Sequence, residues 1–236
     1  MSDIFLRTRM ALGDNAMNIL KNSRVCVFGV GGVGGYIAEA LARSGVGHID
    51  LVDNDTVAES NINRQIIALH STIGKPKTEV MKARILDINP NACVNAITKF
   101  YTPENSDEFN IERYDYIADA IDTVSAKIDL IVKAKGLNVP IISACGAGNK
   151  LDATAFKVSD IYKTKYCPLA KVLRYELKKR NIKNLKVVYS EEEAIKTGVL
   201  ENGKPVPSSV AFVPSVMGLI MAGEIIKELI NTGEKV

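Results

Sequence analysis

Apolar and polar positions alternate along this chain with two periods. Short continuous apolar runs recur near residues 24–28, 48–52, 92–97, 115–120 and 139–144, the composition that strands buried on both faces require. Between them, helical spacing predicts helices near 33–44, 75–88 and 125–137. The first of these carries Ile37, Ala40 and Leu41 on one face. Strands that alternate with helices in this way predict an α/β fold, a Rossmann-like, doubly wound and mainly parallel sheet. Beyond Ala144 the pattern loosens into Gly146-Ala147-Gly148, a strand-like Thr154 to Val158 and a helix beginning near Cys167-Pro168. Proline there suits a first helical turn. An antiparallel C-terminal extension of the sheet is expected in this region, and a last helix, Ser215 to Ile230, should close the core. Gly198 to Ser209, with Pro205 and Pro207, is the best candidate for a mobile loop.

The turn after the first strand carries the first chemical signal. Gly29, Gly31 and Gly34 follow Val25-Cys26-Val27-Phe28 with the G-x-G-x-x-G spacing, which permits a tight turn and close approach of backbone to phosphate. The following helix presents unpaired N–H groups and its positive dipole end to an anion. Asp53 lies nineteen residues beyond Gly34, at the end of the second apolar run, where a carboxylate accepts hydrogen bonds from ribose hydroxyls. These features alone suit NAD, FAD and a nucleoside triphosphate equally. Arg64, close to Asn61, and Lys77, after Gly74-Lys75-Pro76, move the balance toward a triphosphate. Arginine supplies a planar fork and lysine a compact charge for additional phosphate oxygens.

Asp122 follows the apolar run Tyr116 to Ala120 and should stand at the carboxyl end of a parallel strand, where open α/β sheets bind ligands. A carboxylate there suits magnesium, which keeps water and phosphate oxygens among its ligands. The alternative role for Asp122 is the N-cap of the next helix. Asp119 reads as structural.

The motifs Gly29-x-Gly-Gly-x-Gly, Asp53-x-Asp-x-Val, Asn61-x-x-Arg-Gln, Gly74-x-Pro-Lys, Ile88-Asn89-Pro90 and Asp119-Ala120-Ile121-Asp122 occur in the order found in the ThiF/MoeB family. The chain resembles these adenylating enzymes, which are related to ubiquitin-activating enzymes. The resemblance implies ATP and magnesium as cofactors, with Gly29, Gly31, Gly32 and Gly34 in the phosphate turn, Asp53 on the ribose and Asp55 among the cofactor-binding residues. It implies that Asn61 supports the phosphates, that Arg64 and Lys77 contact them, that Asp122 holds the metal, and that Arg64, Lys77 and Asp122 are the catalytic residues. Arg7, in Arg7-Thr8-Arg9-Met10-Ala11-Leu12-Gly13, resembles the family's arginine that reaches into the neighbouring subunit's ATP site. A homodimer with residues 1–22 as its dimer segment is therefore implied.

Composition agrees with one enzyme domain over residues 1–236. At 236 residues, 47% hydrophobic and 24% charged, the chain is long enough for a sizeable core without a second domain. Cys26, Cys93, Cys145 and Cys167 are scattered, which argues against a disulfide framework and for a reducing, cytoplasmic setting. They also lack the Cys-x-x-Cys pairs that hold zinc in several sulfur-transfer members of the family. Cys145 and Cys167 are the plausible reactive thiols, although packing is the better role for Cys167. Met1-Ser2-Asp3-Ile4 has no basic segment leading into an apolar one, so no signal peptide is expected. The apolar stretch Val210 to Gly223 contains Pro214 and is shorter than the roughly 20 residues of a membrane span.

Charge is concentrated. Residues 163–186 hold nine lysines and arginines against one acid, Glu176, while the whole chain carries a net charge of only +3. Lys171, Arg174 and Lys178 recur on one predicted helix face, a cationic stripe that matches an RNA phosphate backbone or serves simply as a solvated surface. The run from Cys167 to Arg174 and the later Phe212-Val213-Pro214-Ser215 resemble the branch of the family that dehydrates threonylcarbamoyladenosine in tRNA. That resemblance implies ATP-dependent cyclisation of the nucleoside beside the anticodon, tRNA as partner, and sulfur-relay proteins as a further partner class. The alternative is an adenylyltransferase that activates the C-terminal glycine of a ubiquitin-like sulfur carrier. The missing zinc cysteines and the basic segment disfavour it.

Overall fold

The computed structural model describes residues 3–198, 200–201 and 204–232. Two short helices, α1 (Leu6–Leu12) and α2 (Asp14–Asn22), precede the sheet. The central strands and helices then alternate: β1 (Arg24–Phe28), α3 (Gly34–Arg43), β2 (His48–Val52), α4 (Lys77–Ile88), β3 (Cys93–Ile97), β4 (Tyr116–Asp119), α5 (Val124–Gly136) and β5 (Ile141–Ala144). The last third contributes β6 (Phe156–Asp160), α6 (Pro168–Lys179), β7 (Lys186–Ser190), the short pair β8 (Leu200–Glu201) and β9 (Lys204–Pro205), and α7 (Phe212–Thr232). The expected loop Gly198 to Ser209 lies partly outside the described residues.

The seven-stranded sheet has the order β3-β2-β1-β4-β5-β7-β6. Every pairing is parallel except β6 with β7. The expected extension thus contains one antiparallel edge strand, but β7, which the apolar pattern did not predict, continues the parallel sheet beside β5. From β1 the chain winds outward through β2 to β3, then crosses back to β4 on the other side of β1. This reversal opens a crevice at the carboxyl ends of β1 and β4, the place where doubly wound sheets receive ligands.

Strand alternation explains the two core layers. Val25 and Val27 of β1 face Ile37, Leu41, Met81 and Met217, whereas Cys26 and Phe28 face Leu130, Ile131, Leu173 and Leu177. Helices α3, α4 and α7 therefore cover one face, and α5 and α6 the other. Phe28 also closes an aromatic cluster with Tyr101 and Phe109, its ring centroid 5.2 Å from that of Tyr101. Such edge-on contacts add about 0.5–1.5 kcal/mol beyond burial.

Glycine sets the closest approaches. Gly29 has φ +86°, and a Cβ on Gly34 would stand 1.7 Å from the Gly29 carbonyl oxygen. The turn between β1 and α3 therefore packs backbone on backbone. On α7, a Cβ at Gly218 would come 2.4 Å from the Val33 carbonyl oxygen, whereas none at Gly223 would meet anything within 4 Å. Gly218→Ala is expected to destabilise by about 1–3 kcal/mol through overpacking. Gly223→Ala should be neutral or stabilise by about 0.5–1 kcal/mol through reduced backbone entropy. Urea denaturation of both variants checks this contrast.

Candidate active site

The carboxyl ends of β1, β2 and β4 border a cavity of about 590 Å³. Gly29, Gly31 and Gly32 form one wall. Added Cβ atoms at Gly31 and Gly32 would find no protein atom closer than 3.7 and 3.4 Å. The fold itself does not require glycine at these two positions, and the space they leave belongs to the cavity. Gly34, in contrast, serves the helix–turn contact and is not part of the lining.

Asp53 stands at the end of β2. Its carboxylate accepts N–H bonds from Val30 at 2.6 Å and Asp55 at 2.8 Å, which ties the glycine turn to the next strand. Burial raises its carboxyl above the usual range, against the lowering effect of those two amides. Beyond it, residues 55–57 are bound to the turn before α4: Val57 N–H donates to the Lys75 carbonyl at 2.9 Å and Gly74 N–H to the Val57 carbonyl at 2.8 Å. This arrangement brings the buried Lys77 ammonium to 2.8 Å from the exposed Asp55 carboxylate. Arg64 is held from behind, its guanidinium 3.0 Å from the Ser60 carbonyl and 2.8 Å from the Asn63 side chain. Asn61 spends its side-chain oxygen on the Ala58 amide, at 3.1 Å. Asp53, Asp55, Asn61, Arg64 and Lys77 all line the one cavity.

Asp122 reaches the same cavity from the loop after β4, exposed, and among the described residues its one hydrogen-bond partner is the Thr123 hydroxyl, 3.4 Å away. The N-cap position of α5 belongs to Thr123. Asp119 is structural as expected, although its partner was not foreseen: Lys127, fully buried, donates to it at 2.8 Å and to Ser143 at 3.1 Å, while Ser143 donates to Asp119 at 2.5 Å. This network pins β4, β5 and α5 together beneath Asp122.

Three parts of the cavity escaped the sequence reading. Lys99, Phe100 and Tyr101 line the side next to Asp55. Gln65 lines the cavity with its Oε1 buried and, among the described residues, without a hydrogen-bond partner. Its place in Asn61-x-x-Arg-Gln was the signal for it. The far wall is Gly146 to Gly148 together with Pro207 to Ser209. Asn149 fastens these last two segments, its side-chain oxygen accepting from the Ser208 amide at 2.6 Å and hydroxyl at 3.0 Å.

Two expected groups lie elsewhere. Arg7 is exposed on α1 and is not among the residues lining this chain's cavity. On α6, Lys171 and Lys178 are exposed, but Arg174 folds back to the Thr164 carbonyl at 3.1 Å and to the Thr164 hydroxyl. The free cationic stripe is therefore two lysines rather than three charges, because Arg174 is drawn to the end of the preceding loop. Among the described residues no helix is long and apolar enough to cross a membrane.

The model of the ThiF family matches residues 5–236. The chain belongs to the ThiF family. Among relatives, this ThiF chain is 46% identical to a tRNA threonylcarbamoyladenosine dehydratase of Bacillus subtilis, across 96% of this chain and 94% of that one. It is 42% identical to the Escherichia coli dehydratase over 72% of this chain and 64% of that protein. The crystal structure of the Escherichia coli enzyme, TcdA, in complex with ATP superposes with a TM-score of 0.91 at 34% identity, covering 98% of this chain and 95% of that one. The fold expected from the resemblance is thereby established, and so is membership of the family.

Cys145 lines the cavity of this ThiF-family chain and meets Cys167 behind it, both only 4% exposed. Cys167 is the N-cap of α6. A hydrogen bond from the Cys145 thiol, aided by the amides of Ala170, Gly146 and Leu169, lowers the Cys167 thiol to about 5, and the same pairing pushes Cys145 up. A group lowered on folding contributes stability that is present above its unfolded pKa, near 9.0, and is lost as pH falls toward 5. Stability should therefore rise between about pH 5 and pH 9, and Cys167→Ala should flatten that rise. Urea midpoints measured across this range test the assignment.

Proposed function

We propose that this chain uses ATP to activate the carboxylate of threonylcarbamoyladenosine in tRNA and closes it to the cyclic, dehydrated nucleoside. The carboxylate oxygen attacks the α-phosphorus and releases pyrophosphate. The neighbouring carbamoyl group then attacks the activated carboxyl carbon, forms the ring and expels AMP. What carries this reading is one cavity that joins a side-chain-free glycine wall, the cations Arg64 and Lys77 and the exposed Asp122, in a chain similar over nearly its full length to proteins named for this dehydration.

The residues divide the work by charge and position. Asp53 and Asp55 orient the ribose, Gly31 and Gly32 admit the phosphates to the backbone, and Arg64 and Lys77 balance the charge that develops as pyrophosphate departs. Asn61 fixes the turn that carries Arg64. The residues fit magnesium: Asp122 would hold it, and bound magnesium would neutralise phosphate oxygens. Among the described residues no cluster of three or more His, Cys, Asp or Glu side chains offers a complete protein cage, and magnesium uses few protein ligands beside phosphate. No enzyme nucleophile is required, since an acyl adenylate is already a good electrophile and its attacking atom lies in the same molecule. That agrees with the burial of Cys145 and Cys167. A cytoplasmic protein acting on tRNA is the setting this reading implies, with the whole chain as one adenylation domain.

Removing one transition-state charge contact costs a few kcal/mol, roughly a hundredfold in rate. Arg64→Ala, Lys77→Ala and Asp122→Ala should each lose at least that much turnover, followed by mass spectrometry of nucleosides from tRNA incubated with ATP. Near-normal conversion in all three would sink the assignment. Tracking the tRNA nucleoside also separates this reading from activation of a sulfur-carrier protein, for which it would stay unchanged.

The homodimer belongs to the same proposal. Helix α1 has no buried residue, and Ile4, Leu6 and Met10 are 59%, 54% and 79% exposed, which suits a segment that packs on a second copy and delivers Arg7 to its cavity. Mixing Arg7→Ala with Asp122→Ala protomers should restore part of the activity, because one hybrid site then has both residues. Failure to recover despite demonstrated subunit exchange would remove Arg7 from the site.

A further inference from the structure

The exposed face of α6 holds more than lysines. Tyr175 is 62% exposed and Val172 44%. At spacings of three and four residues Tyr175 is flanked by Lys171, Val172, Lys178 and Lys179, which share its side of the helix. The Lys179 ammonium lies 4.0 Å over the Tyr175 ring centroid. At the other end of α6, Tyr166 is 69% exposed with φ +60°, carried on a tight turn in which the Cys167 amide donates to the Lys165 carbonyl at 2.7 Å. A bulky residue in the left-handed region is an outlier. Here the strained residue buries little, so packing does not explain it.

Position links these rings to the cavity. Leu169, three residues after Tyr166, lines the cavity, and Tyr175 lies about 9 Å further along the helix axis. The local charge is one-sided as well: the acid of this segment, Glu176, is held by Lys179 and Arg180. Lys171 and Lys178 have no ion pair among the described residues, and a polyanion suits this face.

We propose that the α6 face is a stacking surface for unpaired bases of the RNA loop, with Tyr166 beside the cavity mouth and Tyr175 further out, with Lys171 on the phosphates between them and Lys178 on those beyond Tyr175. This rests on the reading that tRNA is the substrate. A nucleoside that enters the cavity leaves the stack, and its neighbours then need new π-faces, which tyrosines supply without sequence preference. Along a duplex the base faces are covered by their stacked neighbours, so its interior would use the lysines alone.

The test is binding of a synthetic RNA hairpin with an unpaired loop, and of a blunt duplex of the same stem, at several salt concentrations. Tyr175→Ala and Tyr166→Ala should each weaken hairpin binding roughly 5- to 150-fold, the range of one base stack, with the salt slope and duplex binding unchanged. Tyr175→Phe should bind like the parent. Lys171→Ala/Lys178→Ala should weaken both RNAs and flatten the log–log salt slope by roughly 0.7 per lysine on single strands. Unaltered hairpin affinity in both alanine variants, or equal losses on hairpin and duplex, overturns the stacking surface. In either event conversion of the tRNA nucleoside by the parent protein leaves the proposed function standing. Absence of that conversion, together with no hairpin binding, overturns both.

Discussion

Lys127 and Asp119 form an ion pair with neither side chain exposed to solvent. Moving two charges out of water costs several kcal/mol each, which their attraction offsets only when the remaining donors and acceptors are also satisfied. Ser143 meets that condition by bonding to both. The three residues come from α5, β4 and β5, so one buried network fixes the relative heights of two strand ends and a helix. The loop with Asp122 leaves from β4 and the loop with Cys145 and Gly146 leaves from β5. The opening between them has the shape it has because this network does not yield.

The cavity itself brings opposite charges close together. Lys77 is buried and already paired with Asp55, while Arg64 is braced by neutral oxygens only. Such bracing reduces the side-chain ordering that a ligand would otherwise have to supply. The half-buried Asp53 uses both carboxylate oxygens on backbone amides and so couples the glycine turn to β2. The glycine turn and the end of β2 thus rest on a single side chain's geometry.

Much of this was legible in the chain itself. The apolar runs located β1 to β5 within a few residues because strands buried on both faces tolerate little else, and the glycine spacing marked the turn because Gly34 has no room for a Cβ. β7 was missed: Lys186 opens it, and nothing in the basic run before it announces a buried strand until that lysine is paired with Glu224 and Glu228 of α7. Arg174 was grouped with Lys171 and Lys178 by helical spacing, which fixes direction around an axis but not whether a loop oxygen lies within reach. The far cavity wall was invisible for a related reason. Its contacts join residues 149 and 208, a separation over which local pattern carries no information.

That same Asn149–Ser208 fastening sets a temporal order on the molecule. The glycine turn, Asp53, Arg64, Lys77 and Asp122 all leave the ribosome before residue 123, yet the wall at Pro207 to Ser209 lies near the end of the chain. Because synthesis proceeds from the N-terminus at about 5–20 residues per second, the half of the cavity built from these residues waits several seconds for its last wall. During that interval the nascent protein has an open trough in place of a cavity, and any ligand captured early would be held without the contacts that enclose it.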